Sequence, residues 1–117
     1  MNPSIALRLS AFLGFLGVAL GAAGAHGLQP LLARTGHGDE WKTAVLYHLV
    51  HAVVLLVLAS RAAVPKIAWW LICSGVLLFS GSLYIYAATG IARFAHITPF
   101  GGVCLLAGWL ALVLKPR

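Results

Sequence analysis

The chain has 117 residues, of which 62% are apolar and 9% charged, against about 45 to 50% and about 25% in an ordinary soluble domain, so water is excluded as its main solvent. Its net charge of +6 comes from eight Lys and Arg set against Asp39 and Glu40 alone. The cations stand singly near the ends of apolar runs and form no basic patch interleaved with aromatics, which excludes a nucleic-acid partner and points to lipid head groups.

The first apolar run covers residues 5–25 and closes in "GAAGAHGL". Its "AGA" imitates a small-residue cleavage site, but the lone Arg8 and the length of the run read better as a membrane span. Residues 27–38 form a loop, with a short interfacial helix over "LQPLLAR". A second helix is expected from about 40 to 60, with Asp39 as its N-cap and Glu40 in the first turn, where the positive end of the helix dipole favours an acid. "RAAVPK" is a tight turn. A third helix is expected over 67–88, with Trp69 and Trp70 as interfacial anchors. After the polar connection "TGIARFAHI", a fourth opens at "TPFGG" and runs over 98–114, with Thr98 as cap and Pro99 at the first helical position, where its missing N–H costs nothing.

Four spans of this length use up the chain, which predicts an all-α integral membrane protein: one compact four-helix bundle with short loops. With the N-terminus inside, Arg8, Arg61, Lys66, Lys115 and Arg117 are cytoplasmic and Arg34, Lys42 and Arg93 are not, so the positive-inside bias favours both termini in the cytoplasm. No internal repeat of the kind that builds many transporters is present. Cys73 and Cys104 sit about 13 Å apart in depth on these assignments, too far for a disulfide.

Five motifs stand in order along the chain: "GAAGAHGL" at 21–28, "YHLVHAVVLL" at 47–56, "LFSGSLY" at 78–84, "TPFGG" at 98–102 and "GW" at 108–109. With them the chain resembles the small membrane proteins catalogued as domain of unknown function 423. The resemblance covers essentially the whole sequence. It implies four transmembrane helices, with relatives in bacteria and mitochondria, and it brings no activity or catalytic residue; a bacterial inner membrane is the expected location. His26 and His51 match its motif positions. Position 48 departs from it, since the resemblance places an amide after the tyrosine, and His96 lies outside it.

Gly14, Gly17, Gly21 and Gly24 recur on one helical stripe, and Gly81, Gly101, Gly102 and Gly108 offer further small surfaces. In lipid such residues let helices approach within van der Waals contact inside one chain, or else line an oligomer seam or a ligand groove. The sharper question concerns His48 and His51. If the hydrocarbon begins near Thr43, they lie about 8 Å and 12 Å inside it, a depth at which ionisable groups face a bundle interior or a wet cavity. Glu40, Tyr47 and His51 share one stripe, with His48 about 60° away. His26, His96 and Tyr84 come to the same side of the membrane.

Three readings follow for this polar cluster of His26, His48, His51, His96, Tyr47, Tyr84 and Glu40. The first is a hydrogen-bonded network that fixes the helices, since an unpaired polar group in hydrocarbon costs several kcal/mol. The second is a metal site such as Zn²⁺ on three or four of the histidines, with His37, Asp39 or Glu40 as loop alternatives, or a haem between His26 and His51. The third is a small-ligand or proton site. No paired carboxylates lie in the membrane, and a Ser80 or Ser82 nucleophile served by a histidine lacks an orienting acid. The expectation is therefore a non-enzymatic module with no cofactor, whose partners are the bilayer and either further copies of itself or another membrane protein.

Overall fold

A computed structural model describes residues 1–116 as six helices: α1 Pro3–Ala25, α2 Gln29–Thr35, α3 Gly38–Ala59, α4 Lys66–Thr89, α5 Ala92–Ala95 and α6 Thr98–Leu114. Four apolar helical stretches, with α5 and α6 counted as one, are long enough to cross a membrane. The short helix expected over "LQPLLAR" is α2, and the "TGIARFAHI" connection contains α5.

Local chemistry sets the boundaries. α1 starts two residues earlier than the sequence predicts because the Asn2 side chain accepts the Ser4 N–H at 2.8 Å and Pro3 opens the helix. α2 and α4 both stop at a glycine in the left-handed region, Gly36 at φ 76° and Gly90 at φ 72°, where a side chain would be strained. Two expected caps are displaced. His37 is the residue before α3, so Asp39 is helical and acts through the dipole. Ile97 precedes α6, which puts Pro99 at the second position and frees the Thr98 hydroxyl to bond Ser82 Oγ at 2.6 Å.

The long helices lie side by side in the order α1, α3, α4, α6. The tightest seam joins α4 to α6, followed by α1 with α3 and α3 with α4, and α1 and α6 make no close backbone approach among the described residues. Both termini share one end of the molecule, and α2 and α5 share the other. The core lies on the inward faces of α3 and α4, where Leu55, Trp69 and Ile72 are wholly buried. Trp69 is thus not the interfacial anchor that its sequence position suggests. Its indole N–H points to Ser10 Oγ on α1 at 3.3 Å, while the neighbouring Trp70 is half exposed.

Small residues set the seams, though only some of the expected ones. Gly17 faces Leu49 and His48, Gly21 faces Val45, and Gly24 receives the Trp41 indole, all on α3. Gly101 lies against the α4 backbone at Leu78 and Phe79, and Gly108 against Ile72. Gly14 has nothing within 4 Å, because it points about 50° away from the mean direction of the other three on α1. Gly102 is one residue, hence about 100°, round from Gly101, and its nearest neighbour is the Phe79 ring at 3.9 Å. Gly81 also faces open space; Gly75, about 120° round the helix from it, is the α4 glycine that takes a partner, Leu105.

Candidate functional site

α3 carries the two buried imidazoles, His48 at 4% and His51 at 5% exposure. Three residues of helix set the two rings about 60° apart, yet they serve different neighbours. His48 Nε2 stands 2.7 Å from the Leu13 carbonyl of α1. A carbonyl only accepts, so Nε2 carries the proton, and the bare Nδ1 of the neutral ring accepts the Tyr84 O–H of α4 at 2.8 Å. His48 therefore ties three helices together.

His51 is the opposite tautomer. Its Nδ1–H donates to the Tyr47 carbonyl one turn back at 2.7 Å, and its Nε2 accepts the Trp109 indole N–H of α6 at 3.0 Å. An indole nitrogen only donates, so this arrangement requires a neutral His51. A second proton on Nε2 would face another N–H. At His48 the Tyr84 oxygen is able to turn from donor to acceptor, whereas the Trp109 indole at His51 is not.

Other bonds close the seams around these rings. Trp41 Nε1–H donates to the Leu20 carbonyl at 2.9 Å, and the Trp41 ring meets Tyr84 edge-on with centroids 4.8 Å apart. Ser80 donates to the Ala44 carbonyl at 2.8 Å, and Thr35 of α2 to the Ala87 carbonyl at 2.7 Å. Neither Ser80 nor Ser82 bonds a histidine. Tyr47 takes part through its backbone oxygen, while its ring packs on Phe79 with centroids 4.6 Å apart.

The remaining cluster members lie apart from the two rings. Glu40 is about 12 Å along α3 from His48 and meets His37 Nδ1 at 3.5 Å, beneath the Tyr86 ring. His26, after the end of α1, and His96, after the end of α5, are both exposed. Among the described residues no three His, Cys, Asp or Glu side chains gather closely enough to hold a metal ion. A haem held between His26 and His51 would have to take the His51 nitrogen that already accepts from Trp109. Cys73 and Cys104 are free thiols.

Sequence reasoning missed Trp109, Trp41 and Trp69 as polar partners. The available signal was the indole N–H itself, which needs an acceptor wherever it is buried in hydrocarbon.

A family described as a protein of unknown function, DUF423, matches residues 20–102. The UPF0382 membrane protein YwdK of Bacillus subtilis is 40% identical over 112 residues, covering 91% of this chain and 90% of the relative. The UPF0382 membrane protein SH2409 of Staphylococcus haemolyticus is 39% identical over 92% of this chain and 90% of its own. The UPF0382 inner membrane protein YgdD of Escherichia coli is 37% identical over 97% and 90%. No solved structure matches the chain. The chain belongs to the DUF423 family and is an integral membrane protein with four spanning helices.

Proposed function

We propose that this family member is a non-enzymatic membrane module that packs into an oligomer or a larger membrane complex, with its buried histidines holding the spans in register. One observation carries the structural role: each ring nitrogen of His48 and His51 is engaged by a protein group. A metal, haem or small ligand would need a free lone pair, and both available ones accept from Tyr84 and Trp109. A site built on His26, His51, His48 and His96 has to break those bonds first. The assembly half is supported by the edges of the row. α1 and α6 each make a close backbone approach to one long neighbour among the described residues and turn Phe12, Phe15 and Val18, and Phe100, Val103 and Leu106, outward. The Lys and Arg distribution supports cytoplasmic termini, and the inner membrane location in the name of the E. coli relative supports the same membrane here.

A double-mutant cycle tests the structural role. His51→Leu and Trp109→Phe, unfolded by titrating dodecyl sulfate into maltoside micelles, should each lose about 1 to 2 kcal/mol, with a coupling of about 0.5 to 1.5 kcal/mol between them. Metal content and absorption spectrum should not differ from wild type. If His51→Leu keeps its stability and instead sheds a stoichiometric metal or pigment, the reading is wrong. Light scattering of the detergent complex tests assembly: a protein mass of one chain at all concentrations would dispose of the homo-oligomer.

A further inference from the structure

A groove of about 1020 Å³ lies between α1, α2 and the first half of α3, at the end of the molecule away from the termini. It is at the upper end of the range of about 300 to 1,000 Å³ for ligand pockets. The two ends of the groove differ in chemistry. At its mouth, at the start of α3, stand Asp39 and Lys42, both exposed. Inward along α3 it is walled by Val45, Leu46, Leu49 and Val50, and its opposite wall is the flat glycine face of α1. From Lys42 to Val50 is about 12 Å of helix. Leu46 and Val50 are also open to the bilayer, at 60% and 47% exposure, so the groove opens sideways into lipid.

The mouth selects the occupant. Asp39 and Lys42 are three residues apart and so share a helix face with Cβ atoms about 5 to 6 Å apart, yet neither has an ion-pair partner among the described residues, where the one pair is His37 with Glu40. A purely anionic head group would gain Lys42 but meet Asp39. A head group bearing both an ammonium and a phosphate satisfies both. We infer that the groove holds one acyl chain of a phospholipid with an ammonium–phosphate head, the ammonium on Asp39 and the phosphate on Lys42, while the second chain stays in the bilayer.

The test is native mass spectrometry of the full chain in neutral maltoside, with phosphatidylethanolamine or phosphatidylglycerol of identical acyl chains added. Wild type should retain one phosphatidylethanolamine per chain, about 3- to 5-fold in preference to phosphatidylglycerol, as expected for an exposed charge contact. Asp39→Lys should invert that preference. Ala25→Phe with Ala33→Phe, two exposed residues of the groove lining, should lose retention of either lipid at unchanged melting temperature. Equal retention of the two lipids by wild type overturns the inference, as does undiminished retention by the filled groove. So does a filled variant that changes the number of chains in the particle instead of its lipid content, since the groove is then a seam between copies. Should the double variant misfold, the Asp39→Lys inversion decides alone.

Discussion

Gly101→Val is expected to part α6 from α4 and to cost about 3 kcal/mol or more, the largest loss from any single side chain added to this fold. A Cβ at position 101 would stand 2.7 Å from Phe79 Cα and 2.8 Å from the Leu78 carbonyl carbon, with Phe79 N closer still. These are backbone atoms of a helix. They cannot rotate aside as a leucine tip does, so the two axes must separate along the tightest seam in the molecule. Overpacking typically costs about 1 to 3 kcal/mol, and more where nothing yields. Van der Waals contact drives helix association in lipid, so the separation also forfeits it along neighbouring turns. Gly101→Ala should lose about 2 kcal/mol even though alanine favours a helix by up to about 1 kcal/mol over glycine. Gly14→Ala is the control: with open space there, it should be neutral or slightly stabilising. Unfolding in mixed micelles measures all three, and a Gly101→Ala protein as stable as wild type would refute the contact.

His48→Leu is expected to lose about 2 to 4 kcal/mol in the same assay, more than His51→Leu. Leucine fills similar space, so the loss is polar. Two interhelical bonds disappear, each worth about 0.6 to 1.7 kcal/mol in a membrane, and the Tyr84 hydroxyl is left without its acceptor, at about 1 to 3 kcal/mol. His51 loses only one bond to another helix, and its partner Trp109 is 43% exposed. Two further variants separate the terms. Tyr84→Phe on the leucine background removes the orphaned hydroxyl and should recover about 1 kcal/mol. His48→Gln supplies an N–H for Leu13 and an oxygen for Tyr84, and should recover about half the loss. An amide and an Nε2–H imidazole both present one donor and one acceptor. A His48→Leu protein with wild-type stability would show that the Leu13 and Tyr84 bonds contribute nothing.

The sequence revealed the four spans and the turns between them, because these rest on local chemistry and on length. It did not reveal direction around a helix. In a soluble protein, apolar periodicity separates core from solvent; in lipid both sides of a helix are apolar, and the contrast vanishes. Trp69 and Trp70 make the point: adjacent and identical, one is wholly buried and the other half exposed. The α1 stripe was legible as a seam, yet Gly14 drops out by an angle that only the partner defines. The polar cluster failed in the same way. His26 and His96 lie at helix ends at the expected side and remain exposed, whereas the partners of the buried rings include a mid-helix carbonyl and an indole that residue type alone does not mark as belonging together.

The row of spans also has a consequence for biosynthesis. Each backbone seam between long helices joins a span to the span before it in the chain, so assembly is dominated by near-neighbour closures, the topology that shortens the search for native contacts. When α3 emerges, the Trp41–Leu20 and His48–Leu13 bonds already have both members present. α4 then supplies Tyr84, and α6 completes the set with Trp109. Of the two buried rings only His51 waits for the last span, whose Trp109 covers the lone pair that α3 left open.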